Sequence, residues 1–539
     1  MTLTRRCAGL AAAGALAVTA CGAGDAGRPA RVTPPAPAPT LSAAPPAQPA
    51  PSLTRAQVDL AVSRLDGVIR DMMARTGVPG LSAAVVHQDR TVFLKGYGVR
   101  RVGDPRPVGP DTVFQLASLS KPLASTVVAG VVGGRTVTWD DPVAKHLPGF
   151  ALKDPWVSRH VTLADLFAHR SGLPDHAGDL LEDLGYGRPY ILGHLRYEPL
   201  APFRASYAYT NFGFTAAAEA AAKARGVTWE ELSSQVLYRP LGMTSTSSLF
   251  SAYATAPDRV ALHVRADGRW TARYTRDAQA QSPAGGASST ARDLVAWMRL
   301  QLGDGKLGGR TVVDPAALQR THLPQIVSLP PRAPYGEPGF YGLGWNVTYD
   351  ELGRLRLNHS GAFALGAATT ATLLPTESLG IVVLTNGQPV GLPEALAATF
   401  FDIAQHGRPT VDWLAFFGRL FTAMEQEERS PIDYAKPPAA PRPARPAGAY
   451  TGTYGNAYYG PMRVAAEHGG LVMRLGPEGP QGMAFPLRHY DGDTFAFLTR
   501  GENAAGWSGA RFAVGESGRA TAVTVQHLDQ NGLGTFTRR

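Results

Sequence analysis

Two side chains three residues apart, the hydroxyl of Ser118 and the amine of Lys121, stand out for their chemistry. Residues at this spacing lie on one face of a helix, with Cβ atoms about 5 to 6 Å apart, so the amine can reach the hydroxyl. A desolvated lysine can lose its proton near neutral pH, whereas an arginine cannot. The flanking sequence predicts Ser118 at a helix N-terminus, where the helix dipole favours developing negative charge. Ser120 points away from this face and is interpreted as structural or as an auxiliary hydrogen-bonding group.

Two further motifs follow in the chain. Tyr209-Thr210-Asn211 lies in an aromatic stretch, and His359-Ser360-Gly361 precedes a strand-like segment. In this order, Ser-x-x-Lys, Tyr-x-Asn and His-Ser-Gly resemble the serine β-lactamase-like, penicillin-recognising family, which includes class C β-lactamases, D-alanyl-D-alanine carboxypeptidases and related esterases. The resemblance covers about residues 54–405. It is supported by the segments at His169-Arg170-Ser171-Gly172-Leu173 and Tyr341-Gly342-Leu343-Gly344-Trp345, the first of which we interpret as fixing a helix end.

The resemblance implies a role for each matching residue. Ser118 is the expected acylated nucleophile, Lys121 its activator, and Tyr209 the group that exchanges protons with the nucleophile and the leaving group. The expected substrate-binding residues are Asn211, which would orient a substrate amide, His359, Ser360, Gly361, and Ala362, whose N–H would complete the oxyanion hole with that of Ser118.

His359 departs from the family pattern, because many relatives have a lysine there. An unperturbed histidine is charged only below about pH 6.5, so a permanent positive charge for a substrate carboxylate is missing. Peptidase activity is compatible with this change, and efficient β-lactamase activity is less expected. No Ser-Asp-Asn motif occurs, which disfavours class A enzymes.

Other chemistries have no matching motif. The sequence contains no Gly-x-Ser-x-Gly, His-Glu-x-x-His or Gly-x4-Gly-Lys-Ser/Thr pattern, so no cofactor or metal is expected. Of the 52 basic residues only seven are lysines, and the net charge of +9 is scattered along the chain, which argues against nucleic-acid binding. Two alternatives remain open: a non-hydrolytic penicillin-recognising sensor or scaffold, and a C-terminal module that binds glycan or a partner through Tyr458 and Tyr459.

The elements that must position these residues indicate an α+β fold. Thr54 and Gln57 resemble a capping box before a long helix, and the runs 81–87 and 91–97 resemble a hairpin. Residues 122–330 are mainly helical, and strand-like runs return at 342–349, 367–374 and 380–385. We therefore expect an antiparallel sheet flanked by helices, with a helical insertion, as in the β-lactamase/transpeptidase fold.

The C-terminal part predicts a small all-β, barrel-like domain, similar to the lipocalin-like domain appended to such hydrolases. Its six predicted strands are 450–454, 462–466, 471–475, 494–498, 511–514 and 522–527. The expected organisation is a signal segment (1–21), a Pro-rich tether (22–53), a catalytic domain (54–428), a Pro-rich linker (429–447) and the β-domain (448–539).

The N-terminus predicts export. Arg5 and Arg6 precede a short apolar run, and the segment ending at Cys21 resembles a bacterial lipobox, in which the cysteine is lipidated after cleavage. The proline-rich stretch that follows would act as an extended tether. The expectation is a membrane-anchored lipoprotein on the periplasmic or extracellular side, acting on a small-molecule or peptide substrate. The oligomeric state is left open.

Overall fold

A computed structural model of the chain describes residues 51–331, 336–427, 429–477 and 483–539. The predicted signal segment, Cys21 and nearly all of the tether therefore lie outside the described residues. Among the residues that are described, no helix is long and apolar enough to cross a membrane.

The catalytic half is built on one antiparallel sheet of nine strands in the order β10-β11-β12-β13-β14-β15-β1-β2-β3. Its strands are β1 Gly80–His87, β2 Arg90–Arg101, β3 Asp104–Pro107, β10 Ile326–Leu329, β11 Gly339–Tyr341, β12 Asn346–Tyr349, β13 Leu355–Phe363, β14 Ala367–Leu374 and β15 Leu379–Thr385. Three short ribbons accompany it, formed by β4 Phe114–Gln115 with β7 Ser288–Ser289, β5 Val264–Ala266 with β6 Arg269–Thr271, and β8 Lys306–Leu307 with β9 Arg310–Thr311.

Helices cover both faces of this sheet. They are α1 Arg55–Thr76, α2 Ser120–Gly133, α3 Val143–His146, α4 Pro155–His160, α5 Leu163–Phe167, α6 Asp179–Asp183, α7 Arg188–His194, α8 Asn211–Ala224, α9 Trp229–Ser233, α10 Arg239–Leu241, α11 Phe250–Thr255, α12 Ser282–Gly285, α13 Ala291–Leu302, α14 Pro315–Gln319, α15 Leu392–His406 and α16 Trp413–Glu427. Helices α1, α15 and α16 pack on one face around a core that includes Ile69 and Phe400. The insertion helices cover the other face, where α2 and α8 are almost fully buried.

The first elements follow the predicted pattern. Thr54 and Gln57 form the capping box of α1, and Gly77 ends the helix in the left-handed conformation at φ +68°. Strands β1 and β2 form the hairpin expected around residues 88–90, with Arg90 paired to His87. The predicted α+β class, with a helical insertion between the strands, is confirmed.

Two strands near the site differ from the prediction. His359-Ser360-Gly361 precedes the predicted strand Ala367–Leu374, which is β14, but the motif itself lies inside β13, a strand that the sequence did not predict and whose residues Leu355 to Asn358 pair with β12. The run 342–349 is a strand only from Asn346, because Gly344 adopts a positive φ of +83° and turns the chain before β12. On the buried face of β13, His359 and Gly361 interrupt the apolar alternation that identifies a strand.

The C-terminal part is a closed barrel of eight antiparallel strands, which confirms the barrel-like expectation. Its strands are β16 Gly452–Asn456, β17 Gly460–Glu467, β18 Gly470–Leu475, β19 Met483–Asp491, β20 Thr494–Leu498, β21 Trp507–Val514, β22 Ala520–Val525 and β23 Thr535–Arg538. The sequence predicted six of them. Strand β19 was missed because Pro486 interrupts its pattern, although Pro486 pairs with Val472, and β23 was missed because it is short.

The barrel packs directly on the catalytic half through Tyr458 and Tyr459, the two tyrosines that the sequence suggested as a ligand-binding surface. The Tyr458 hydroxyl accepts a hydrogen bond from the Gly178 N–H at 3.0 Å, and the Tyr186 hydroxyl donates to the Tyr459 carbonyl at 2.8 Å. Tyr458 and Tyr459 are only 2% and 3% exposed. The alternative in which they bind glycan or a partner is therefore wrong, because both side chains are buried in the interface between the barrel and the catalytic half.

Candidate active site

Ser118 lies at the entrance to α2, in a tight turn formed by Ala117–Leu119. Ala117 adopts a positive φ of +48°, a strained conformation for a residue with a Cβ. Ser118 is the only residue from Thr112 to Ala129 that is not buried. The turn thus presents one hydroxyl at the surface of an otherwise buried segment.

Lys121 is fully buried one helical turn further on, and its Nζ lies 3.2 Å from the Ser118 Oγ. The same Nζ donates to the Asn211 Oδ1 at 2.7 Å and to the Ala284 carbonyl at 3.0 Å. Burial lowers the pKa of Lys121 to about 7, although the Asp179 carboxylate opposes this shift. A base with a pKa near neutrality is suited to taking a proton from a serine hydroxyl.

Tyr209 lies immediately before α8 and approaches the same two groups. Its hydroxyl hydrogen-bonds to the Ser118 side chain, and its ring centroid lies 4.4 Å from the Lys121 Nζ. The Tyr209 backbone N–H donates to the Asp175 carboxylate at 2.5 Å, which fixes the chain at this point. Burial raises the pKa of Tyr209 above its ordinary value, so the phenol stays protonated at rest.

Asn211, the first residue of α8, has both ends of its side-chain amide engaged. The oxygen accepts from Lys121, and the nitrogen donates to the Asp179 Oδ2 at 2.8 Å. Asp179 is buried and also bonds to the His176 Nδ1 at 2.9 Å, which raises the pKa of His176. The sequence did not single out Asp179 or His176, and no motif signal marked them.

His359 lies on β13 with both ring nitrogens occupied by the protein. Its Nδ1 is 2.7 Å from the Ser360 carbonyl, and its Nε2 is 2.9 Å from the Tyr341 hydroxyl. The carbonyl can only accept, so Nδ1 carries the hydrogen and Nε2 accepts from Tyr341. Burial lowers the pKa of His359 to about 3, and the nearby Lys121 contributes to the shift. His359 is therefore neutral throughout the physiological pH range.

The next three residues of β13 alternate in direction, as a strand requires. The Ser360 hydroxyl donates to Thr370 at 3.1 Å, on the side of the sheet away from His359. Gly361 is buried against the turn of Ser118, where a Cβ would lie 2.1 Å from the Leu116 carbonyl oxygen. Ala362 is exposed, next to this contact. The strand and the serine turn thus meet backbone to backbone, as an oxyanion hole requires.

His169 supports the base of the site. Its Nδ1 accepts a hydrogen bond from the Thr210 N–H at 3.1 Å, and its ring packs 4.5 Å from that of Tyr209. Thr210 precedes α8, so His169 fixes a helix end, as its motif predicted. Ser120 is structural, since its hydroxyl accepts from the Ala287 N–H at 3.0 Å.

The structure therefore brings together all eight predicted site residues of the catalytic half around the Ser118 turn and the adjoining stretch of β13. Cys21, the predicted lipidation site, lies outside the described residues. Among those described, no group of His, Cys, Asp and Glu side chains could hold a metal ion.

Two models of known protein families match the chain. The model of the family described as Beta-lactamase matches residues 65–402, which is more than half of the chain. The model of a domain of unknown function, DUF3471, matches residues 436–534, the region of the barrel.

Characterised relatives are distant. "Unguisins hydrolase ungD'" from Aspergillus campestris is 27% identical over 426 residues, which cover 74% of this chain and 76% of the relative. The D-alanyl-D-alanine-carboxypeptidase/endopeptidase AmpH from Escherichia coli is 25% identical over 323 residues, which cover 58% of this chain and 81% of AmpH.

Two solved structures share the fold. The octameric penicillin-binding protein homologue from Pyrococcus abyssi has a TM-score of 0.57 at 19% identity, covering 86% of this chain and 98% of that one. A class C β-lactamase from Rhodobacter sphaeroides has a TM-score of 0.52 at 23% identity, covering 65% of this chain and 99% of the enzyme. The family match over residues 65–402 shows that the chain belongs to the β-lactamase family and is a serine-type hydrolase of that family.

Proposed function

We propose that the protein hydrolyses an ester, amide or lactam through an acyl-enzyme formed on Ser118. The observation that carries this proposal is the Lys121 amine, buried 3.2 Å from the Ser118 hydroxyl with a pKa of about 7. An amine with a pKa near neutrality is partly deprotonated at neutral pH, in contrast to an ordinary lysine.

In the proposed acylation, neutral Lys121 takes the Ser118 proton while the Ser118 Oγ bonds to the substrate carbonyl carbon. The negative charge that develops on the carbonyl oxygen is stabilised by the N–H groups of Ser118 and Ala362. Tyr209 then gives its hydroxyl proton to the leaving group, the bond to that group breaks, and Lys121 restores the Tyr209 proton. Lys121 then takes a proton from water as the water oxygen bonds to the acyl carbon, the bond from that carbon to the Ser118 Oγ breaks, and Tyr209 gives its proton to the Oγ and regains one from Lys121, which releases the acid and regenerates Ser118.

We also infer that the preferred substrates lack a carboxylate beside the scissile bond. His359 occupies the position where a family lysine would offer a charge, and both of its nitrogens are bonded to Tyr341 and Ser360. It therefore offers a substrate anion neither a charge nor a free donor. Penicillins and D-alanyl-D-alanine peptides carry such a carboxylate, whereas simple esters do not. This favours an esterase or an amidase among the activities compatible with the family.

Intact-protein mass spectrometry over time, with an activated ester and separately with a penicillin, tests the proposal. We expect rapid ester turnover and slow or no penicilloyl adduct. A persistent penicilloyl adduct would instead identify a carboxypeptidase-like target, and a transient one a β-lactamase. Ser118→Ala is the control: undiminished turnover in this variant would refute the serine mechanism. Neither adduct nor turnover with either compound would favour the non-hydrolytic, penicillin-recognising alternative.

We further propose that the protein is exported and anchored to the membrane through lipidated Cys21. The lipobox-like segment and the proline-rich tether support this placement. Incorporation of labelled fatty acid into the wild type but not into Cys21→Ser, together with release of that variant from the membrane fraction, is expected. Equal membrane association of both proteins without labelling would refute it.

A further inference from the structure

A loop of the C-terminal barrel reaches the end of the strand that carries the predicted oxyanion hole. This loop, residues 499–506, joins β20 to β21. Its Glu502 Oε1 accepts a hydrogen bond from the Ala364 N–H at 2.5 Å, and the same carboxyl bonds to the Leu365 N–H. Ala364 follows β13 directly and lies two residues beyond Ala362. The barrel thus supplies the hydrogen-bond acceptor for the turn between β13 and β14.

The loop is itself fixed to the catalytic half by Asp183, the last residue of α6. One Asp183 oxygen accepts from the Glu502 N–H at 2.9 Å, and the other accepts from the Asn503 N–H at 2.8 Å and from the Asn503 side chain at 2.9 Å. Gly501 has a φ of +106°, and a Cβ there would lie 2.4 Å from the Asp183 carboxyl carbon. The loop conformation is therefore built around this one carboxylate.

A buried arginine connects the loop to the strand and to the segment before Ser118. The Arg276 guanidinium lies 3.7 Å from the Glu502 carboxylate and 5.2 Å from the centroid of the Phe363 ring. The Arg276 carbonyl accepts from the Gln115 side chain at 2.8 Å. Phe363 ends β13, and Gln115 lies three residues before Ser118. Arg276 thus contacts one side chain from each of the two segments that form the predicted oxyanion hole.

The same cluster reaches the lysine side of the site. The Glu182 carboxylate pairs with Arg276 and accepts from the Gln281 side chain at 2.5 Å. Gln281 directly precedes α12, whose Ala284 carbonyl accepts from Lys121. The contacts of the barrel loop therefore continue, through packed and hydrogen-bonded groups, to the partners of both the nucleophile and its base.

We propose that the barrel loop is a positioning element for catalysis, in which Glu502 holds Ala362 in register by holding the Ala364 N–H. The inference rests on the proposed acyl-enzyme function and adds a role for the C-terminal domain. An oxyanion hole depends on donors held within a fraction of an ångström of the developing charge. Ala362 is exposed at the site, and the chain turns shortly after it. A fixed acceptor for the Ala364 N–H therefore limits the displacement of Ala362.

The chemistry of Glu502 identifies a suitable matched variant. Burial raises the pKa of Glu502 to about 8, against the influence of Arg276 and of the backbone N–H groups, and thus favours its neutral form. Glutamine resembles that neutral form and keeps an oxygen acceptor. Methionine has a similar length but no carbonyl oxygen. The pair Glu502→Gln and Glu502→Met therefore separates loss of the hydrogen bond from loss of packing.

Ester kinetics provide the first test, with Glu516→Met on an exposed turn of the same barrel as the control. For Glu502→Met we expect kcat to fall about tenfold with KM within twofold of wild type, because the oxyanion hole acts in the transition state. Glu502→Gln and Glu516→Met should stay within twofold of wild type in both constants. An unchanged kcat in Glu502→Met, or an equal loss in the Gln variant, would overturn the proposal.

Amide hydrogen exchange over residues 361–366 provides a test independent of turnover. We expect exchange to be at least fivefold faster in Glu502→Met and in Glu502→Ala, and unchanged in Glu502→Gln. Wild-type exchange in the Met and Ala variants would overturn the positioning role. A wild-type protein without ester turnover would refute the proposed function alone, since the exchange result would still decide whether Glu502 positions the strand.

Discussion

The side-chain amide of Asn211 bridges Lys121 and Asp179. Asn211 accepts from the Lys121 Nζ at 2.7 Å and donates to the Asp179 Oδ2 at 2.8 Å. Burial lowers the pKa of Lys121 to about 7, and the Asp179 carboxylate raises it. The proton affinity of the proposed base is therefore set by burial on one side and by a single carboxylate, held by Asn211, on the other.

This balance predicts the pH dependence of acylation. Only deprotonated Lys121 can accept the Ser118 proton, so kcat/KM should rise with pH and level off above an apparent pKa near 7. Asp179→Asn removes a charge that favours the ammonium form of Lys121. The rising limb of the kcat/KM profile should therefore move about one pH unit lower. Initial rates with a neutral ester between pH 5 and 9 provide the measurement. Asp71→Asn, on the exposed side of α1, should leave the limb unchanged, and the same limb in Asp179→Asn would contradict the assignment to Lys121.

The contact between Gly361 and the Ser118 turn predicts a strong effect of one methyl group. A Cβ at Gly361 would lie 2.1 Å from the Leu116 oxygen and 2.8 Å from the Leu119 nitrogen, so β13 must move away from the nucleophile. We expect Gly361→Ala to lower kcat at least about a hundredfold, comparable to loss of an oxyanion donor. Gly67→Ala is the matched control, because no atom lies within 4 Å of a Cβ there. Ester turnover above a tenth of wild type in Gly361→Ala would show that the strand does not form the oxyanion hole.

The sequence predicted the residues at the site better than the strands that carry them. Ser118, Lys121 and Tyr209 could be predicted because their spacing and order are local properties of the chain. The strand that contains His359 was missed because its buried face carries His359 and Gly361 between Leu357 and Phe363, which breaks the apolar alternation by which a strand is identified. Strand β19 was missed for a different reason, because a proline, Pro486, lies within it.

Asp179 and Glu502 could not have been found from spacing. Asp179 reaches Lys121 only through Asn211, 32 positions away in the chain, and Glu502 reaches Ala364 only because the barrel packs on the catalytic half. Such contacts depend on tertiary packing between segments that have no common motif. Tyr458 and Tyr459 show the converse, since a pair of adjacent tyrosines that suggested a binding surface is buried in an interface.

The stability of the fold should depend on the buried carboxylate of Asp165 in α5. The Asp165 side chain is fully buried and accepts from the Arg170 Nε at 2.9 Å and from Arg204 at 2.7 Å. Burial raises the pKa of Asp165, but the bonds from Arg204, Thr162 and Arg170 outweigh it and hold the pKa below its ordinary value. Its contribution to stability is therefore complete above the unfolded pKa of about 3.9 and is lost as pH falls through the lower folded value.

Asp165→Asn should accordingly lower the free energy of unfolding by about 3 kcal/mol at pH 7, because it leaves a buried pair broken. The difference from wild type should shrink below about pH 4 as the native carboxyl is protonated. Urea denaturation at pH 7 and pH 3 measures both effects. Asp71→Asn, whose pair with Arg75 is exposed, should cost less than about 0.5 kcal/mol. An Asp165→Asn effect as small as that of Asp71→Asn would contradict the buried pair.

The neutral state of His359 predicts how the enzyme handles charged substrates. With a pKa lowered to about 3 by burial, His359 carries no charge between pH 5 and 8, so it cannot attract a substrate carboxylate anywhere in that range. Glutamine is neutral at every pH and can replace the donor and acceptor of the ring. For an anionic ester, the ratio of kcat/KM between wild type and His359→Gln should therefore stay constant from pH 8 to pH 5. A histidine with an ordinary pKa near 6.5 would make this ratio rise about tenfold toward pH 5, because the wild type alone would gain a positive charge. Measuring the same ratio with an uncharged ester controls for titration of Lys121, which both proteins share, and isolates the charge of residue 359.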